Sequence, residues 1–238
     1  RAAELQPTNA LAHLGMGRIS LARQREEEAR ISFDRALRYE TNLTAYIITE
    51  GDRLFKQTFF NEAADRYREA LFINPSNSLA HHNLANALVK LGHLPEAVTQ
   101  FEEALRLDPE YPLARFNLGN ALFELGRMEE AVSQYREALR LDPENLSAAI
   151  NMGRAFCARG RFEDGIEQFR YAMDRDPDNL SAVINMENAL LELGRADEAR
   201  DLAERALVLA RKQGGEQQAA QTRTRLGSLQ QAASQDGN

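Results

Sequence analysis

Cysteine occurs once in the 238 residues, at Cys157, so no internal disulfide can staple the chain. That scarcity does not fix a compartment, although a cytoplasmic setting is favoured over export. No segment approaches 18 uninterrupted apolar residues, so this stretch is not expected to insert into a membrane. Basic residues are in the minority. Lys and Arg number 29 against 36 Asp and Glu, a net charge of -7 with no basic stripe, which disfavours nucleic acid as a partner. A glycine-rich phosphate loop, a Ser/Cys–His pairing and a set of paired carboxylates are all missing, so neither an enzyme nor a cofactor is expected. The 43 % hydrophobic and 27 % charged shares nevertheless suit a packed protein and not a disordered one.

What the chain has in abundance is repetition. Residues 112–145, PLARFNLGNALFELGRMEEAVSQYREALRLDPEN, match residues 78–111 at 21 of 34 positions without a gap. Pro75, Pro109, Pro143 and Pro177 stand 34 apart, and Pro7 falls on the same grid with Thr41 in the skipped place. Such a period marks a stack of small units, each packed on its neighbours. The units run 10–43, 44–77, 78–111, 112–145, 146–179 and 180–213. Residues 1–9 read as the remnant of an upstream unit, because RAAELQP resembles EALRLDP at 103–109; the true N-terminus and any targeting segment would then lie outside this sequence. Residues 214–238 read as a capping helix, with a thin stripe of Ala219, Thr222, Leu226 and Leu229, and a disordered tail, SQDGN.

Inside a unit the apolar spacing is helical. Ala131, Val132, Tyr135, Ala138 and Leu139 form one face, and Leu118, Leu122 and Leu125 another. Gly126 ends the first helix, with Gly92, Gly160 and Gly194 in the same position, and Pro143 closes the second. Gln24 and Thr58 occupy that glycine position in the first two units, where looser turns are expected. Small residues recur at position 8 (Gly17, Gly51, Ala85, Gly119, Gly153), at position 20 and, always as alanine, at position 27. Opposite them at position 24 stand Phe33, Tyr67, Phe101, Tyr135 and Phe169, the knob-and-hole pattern of adjoining helices. The last unit departs from it, with Glu187 at position 8 and Ala203 at position 24. Glu102 and Arg106 read as an i, i+4 pair on the solvated face.

Leu118–Gly119, Ala131, Tyr135 and Pro143 fit the pattern L-G…A-x3-F…P, and the chain resembles the tetratricopeptide repeat family over residues 10–213. Arg115 and Leu122 stand where that pattern has Trp and Tyr. The resemblance implies an all-α fold: a right-handed α-α superhelix, or solenoid, of about six repeats with a C-terminal capping helix. It also implies that the first helix of each unit lines a concave groove through positions 2, 5, 6, 9, 12 and 13.

Position 6 then supplies Asn83, Asn117, Asn151 and Asn185, and position 9 adds Asn86, Asn120, Asn188 and Arg154. His82, Phe116, Ile150 and Ile184 fall at position 5, and Phe123 and Cys157 at position 12. An amide side chain both donates and accepts, so a column of asparagines can hold an extended peptide by its backbone while apolar neighbours form side-chain pockets. The column is similar to that in the superhelix of O-linked N-acetylglucosamine transferases. The plainer alternative is that these asparagines serve solubility and local hydrogen bonding. Groove charges are mixed, with Arg18, Lys56, Lys90 and Arg154 against Asp52, Glu124 and Glu192, and lack the clustering of a carboxylate clamp. Metal binding by His81, His82 and His93 is not expected, because adjacent helical side chains diverge; surface or groove histidines fit better.

The expected function is a non-catalytic protein–protein interaction scaffold that binds an extended or helical peptide. A substrate-recruiting region of a larger enzyme, such as a glycosyltransferase, and a self-associating scaffold are the alternatives.

Overall fold

The computed structural model describes residues 7–39, 41–215, 217, 219–224 and 226–227, and among them there is no strand. The chain divides into two compact bodies, one up to Glu110 and one from Tyr111. The first holds α1 (Pro7–Ala22), α2 (Glu26–Tyr39), α3 (Leu43–Lys56), α4 (Phe60–Ile73), α5 (Ser78–Lys90) and α6 (Leu94–Leu107). The second holds α7 (Pro112–Glu124), α8 (Met128–Leu141), α9 (Leu146–Cys157), α10 (Phe162–Arg175), α11 (Leu180–Glu192) and α12 (Ala196–Lys212). Within each body odd and even helices pack as consecutive pairs, and α4 on α5, α8 on α9 and α10 on α11 join one pair to the next. The fold is therefore an all-helical stack of repeats.

Helix α1 starts at Pro7, three residues ahead of the repeat boundary at Ala10. Residues 1–6 of the upstream remnant, together with Leu229 and the SQDGN tail, lie outside the described residues. Residues 219–224 are helical and bury Ala219 and Thr222.

Short-range chemistry sets the helix ends. Asn77, Asn145 and Asn179 cap α5, α9 and α11, their side chains accepting from the N–H groups of Ala80, Ala148 and Ala182 at 2.8, 3.1 and 3.1 Å. Ahead of α7, α9 and α11, Asp108, Asp142 and Asp176 accept from the N–H two residues on, which folds each Asp-Pro loop into a side-chain-closed turn. Between paired helices, Gly92, Gly126, Gly160 and Gly194 take φ between 72° and 78°.

Gln24 and Thr58 adopt the same left-handed geometry, at φ 58° and 65°. Their turns are no looser. Thr58 N–H donates to the Phe55 carbonyl at 3.0 Å and Phe59 N–H to Leu54 at 3.0 Å, matching 3.0 and 2.9 Å around Gly92. Helix packing on both sides imposes the turn, and the side chain bears the strain. A β-branched residue is costly there, so Thr58→Gly should stabilise the chain by about 1 kcal/mol, read from urea unfolding. An unchanged midpoint would mean the turn relaxes in solution.

The core is a column of rings on small residues. The rings of Phe33, Tyr67, Tyr135 and Phe169 lie so close to Gly17, Gly51, Gly119 and Gly153 that an added Cβ would fall 2.5–2.6 Å from a ring carbon. The position-27 alanines, Ala36 to Ala206, are fully buried between helices. In the last repeat the sizes are exchanged: Glu187 and Ala203 are both fully buried, the small side chain now opposite the large one. On the outer faces arginines pair at i, i+3 and not i, i+4. Arg106 binds Glu103 at 2.8 and 2.6 Å, and Arg140 binds Glu137 at 2.8 Å. These exposed pairs contribute little to stability.

Candidate functional site

Among the described residues, one type of cavity opens beside the odd helices in each body, at corresponding repeat positions. In the first body a cavity of about 160 Å³ between α3 and α5 is lined by Asp52, Phe55, Lys56, Tyr67, Asn83 and Asn86. In the second body a cavity of about 230 Å³ lies against α9 and α11. Its polar wall is Arg154, Asn185, Asn188 and Glu192, and its apolar wall is Phe123, Cys157, Phe162 and Phe169. Both have the ring of position 24 as a floor and the amides of positions 6 and 9 of the following unit as a rim.

The second cavity is larger partly because Cys157 stands where the first has Phe55. Burial pushes the Cys157 thiol above its ordinary pKa, which lowers its thiolate fraction and suits a wall residue. The Arg154 guanidinium lies 5.1 Å above the Phe123 ring and donates to Asn151 Oδ1 at 3.2 Å, which holds the charge at the rim.

The asparagines are not equivalent. Asn83 donates to Asp52 Oδ1 at 2.9 Å, and Asn151 to Asn120 Oδ1 at 2.8 Å, each reaching back to the preceding odd helix. The same oxygens accept from Tyr67 and Tyr135, both at 2.8 Å. A tyrosine, an Asp or Asn and an asparagine thus form a hydrogen-bonded triad twice. Burial raises the pKa of both hydroxyls, with the Asp52 bond adding to the rise at Tyr67, so they remain donors. Asn185 instead donates to the carbonyl of Ser181 in its own helix at 2.7 Å. Asn117 is half-buried and Asn188 exposed.

His82 and Ile150, expected in the groove, face inward and are 3 % and 8 % exposed. Position 5 points between the two helices of its unit, where His82 packs on the Phe101 ring at 5.8 Å and Ile150 joins a cluster with Phe169. Phe116 is half-buried against Tyr135, with ring centroids 6.1 Å apart, and Ile184 is half-buried beside Val183 and Leu209. Phe162, at the start of α10, was not anticipated; its signal is the apolar residue that opens the second helix in Phe60, Leu94 and Met128.

His82 has its Nδ1 3.1 Å from Asn83 Oδ1 and its Nε2 3.2 Å from the Asn86 amide, partners that suit a neutral ring with the proton on Nδ1. Burial lowers its pKa, only partly opposed by the Asn83 bond. The unfolded ring therefore takes up its proton first on acidification. Stability should decline as pH falls from about 6.5 toward the depressed native value and level off below it. His82→Phe, the residue that Phe116 supplies in the next unit, should flatten the stability profile between about pH 7.5 and 5.5. Identical slopes in the two proteins would show that His82 does not govern this region.

Sequence comparison accords with this geometry. Family models described as tetratricopeptide repeat match residues 82–145 and 158–224, and one described as TPR repeat matches residues 51–92. The chain belongs to the tetratricopeptide repeat family. No curated protein matches it. Among solved structures, MamA from Desulfovibrio magneticus is similar at 20 % identity and a TM-score of 0.68, over 71 % of this chain and 96 % of that one. YrrB, a tetratricopeptide repeat protein with an unusual peptide-binding site, is similar at 21 % identity and a TM-score of 0.67, over 81 % and 97 %. A tetratricopeptide repeat protein from Parabacteroides merdae covers 93 % of both chains at 18 % identity and a TM-score of 0.61. Family and fold support a protein-interaction scaffold.

Proposed function

We propose that this tetratricopeptide repeat protein is a non-catalytic scaffold that holds an extended peptide along its odd helices. The observation that carries the reading is the recurrence of one cavity type, aromatic floor and amide rim, at matching repeat positions in both bodies. Amides bond to a peptide backbone without regard to sequence, and the cavities accept its side chains. Asn83 and Asn151 each have one of two amide N–H groups engaged, and their Oδ1 atoms accept from His82 and Arg154, so each keeps one N–H and one lone pair for a ligand. Asn188, exposed on α11, stands on the rim of the second cavity. The likeness to YrrB, with its peptide-binding site, agrees with such a role.

The test is a footprint. Peptides selected by display against the whole chain should shift amide resonances around Phe55, Asn86, Phe123, Asn185 and Asn188. Shifts confined to the even helices would overturn the reading.

A further inference from the structure

A third cavity lies away from the asparagines, where α8 meets the end of α9 and the start of α10. It measures about 210 Å³, and its apolar wall is Met128, Val132, Ala155 and Phe156. Arg136, Arg159 and Arg161 ring it, with Glu129 as the one carboxylate on its lining. At 3.6 residues per helical turn, Phe156 points about 160° away from Arg154 on α9, and the two cavities share no lining residue. This cavity is thus separate from the one on α9 and α11.

Two of its residues break the chain's own repeat. Phe156 stands where Leu54, Leu88, Leu122 and Leu190 occur, and Arg159 where Leu91, Leu125 and Leu193 occur, with Arg23 and Gln57 at that position in the first two units. Helix packing is met by leucine at both positions in three other units, so stacking does not require the exchange. The cations are also in excess. Arg159 pairs with Glu129, and Arg161 with Asp164 at 2.7 Å, while Arg136 has no partner among the described residues. The Arg161 guanidinium also lies 4.6 Å above the Phe156 ring, which keeps it at the mouth. In a chain of net charge -7, this is a local basic rim around an apolar floor.

We propose that this cavity is a second docking site, one that takes a single large apolar side chain from a partner segment flanked by aspartate or glutamate. Guanidinium groups bind carboxylates through paired N–H donors, and an aromatic or aliphatic anchor in a small pocket is the usual centre of a peptide interface. The volume falls below the range of about 300–1,000 Å³ of small-molecule sites, which favours a side-chain anchor over a cofactor. The site is independent of the odd-helix cavities and stands or falls without them.

The experiment uses the whole chain and the fluorescein-labelled pentapeptide Glu-Glu-Phe-Glu-Glu, followed by fluorescence anisotropy. Saturable binding is expected, weakening with added salt. Arg159→Leu and Phe156→Leu restore residues that the other repeats carry, so both variants should melt like the wild type. Each should bind at least about tenfold more weakly, as should the wild type toward Glu-Glu-Gly-Glu-Glu. Asn185→Ala, on the other site, should bind the probe unchanged. The proposal is overturned by absent saturation, by equal affinity in Arg159→Leu, or by equal affinity for the glycine peptide, which would mean diffuse charge attraction alone. Sedimentation showing dimers that depend on Arg159 while the peptide fails to bind would assign the cavity to a second copy of the chain instead.

Discussion

Replacing Arg18 and Arg66 together by alanine should destabilise the N-terminal repeats by about 3 to 5 kcal/mol. Glu69, on α4, is only 4 % exposed. Its two oxygens accept from Arg18 Nε at 2.9 and 3.1 Å, and Arg66 from its own helix binds it as well. Arg18 lies on α1 and also pairs with Glu50 on α3, so one guanidinium ties three helices of the first body together. Burial opposes the Arg18 charge, but the bonds to Glu50 and Glu69 outweigh it and raise its pKa. At Glu69 burial pushes the carboxyl up, and the two arginines hold it back.

Deleting both arginines leaves a carboxylate with no counterion in a site that water scarcely reaches, and Glu50 adds repulsion. Adding Glu69→Leu to the double variant should recover much of the loss, because the cost lies in the uncompensated charge and not in missing contacts. Urea unfolding of the double and triple variants measures this. A double variant within about 1 kcal/mol of wild type, with no recovery in the triple, would show that water solvates Glu69.

The repeat period and the helix faces were legible because packing repeats itself. A ring against a small residue recurs at the same two positions in five of the six units, and Tyr135 over Gly119 is as plain in the sequence as in the structure. The tight turn at Thr58 departs from the looser turn that the sequence suggests, because helix packing can force a non-glycine residue into the left-handed geometry that glycine takes freely. His82 and Ile150 were misplaced for another reason. Position 5 is taken up by the partner helix of its own unit, against Phe101 for His82 and Phe169 for Ile150. The triads Tyr67–Asp52–Asn83 and Tyr135–Asn120–Asn151 could have been found. Tyrosine alternates with phenylalanine at position 24, and an Asp or Asn stands at position 9 in both tyrosine units. The link between columns 15 and 31 residues apart is a long-range hydrogen bond, which apolar periodicity cannot register.

Those triads change what the asparagine column should do on mutation. Asn83→Ala and Asn151→Ala each remove a bond between successive odd helices, and each should cost about 0.5 to 1.5 kcal/mol of stability. Asn185→Ala should cost less, because its partner, the Ser181 carbonyl, belongs to its own helix. In binding, neighbouring helices lie roughly 8 to 10 Å apart, and an extended peptide advances about 3.3 Å per residue. One asparagine can therefore meet every third residue or so of a ligand. Each contact contributes little alone, and about 1.4 kcal/mol corresponds to a tenfold change in affinity. Changing Asn83, Asn117, Asn151 and Asn185 to alanine together should weaken a display-selected peptide by tens-fold or more, with a lowered melting temperature that comes mainly from positions 83 and 151. Asn185→Ala alone separates the two effects, since its bond lies within its own helix and it should lose affinity while unfolding nearly like the wild type. Titration calorimetry on both variants decides. If the quadruple variant binds the peptide as tightly as the wild type, the column serves only to join the repeats, and the recognition surface lies elsewhere.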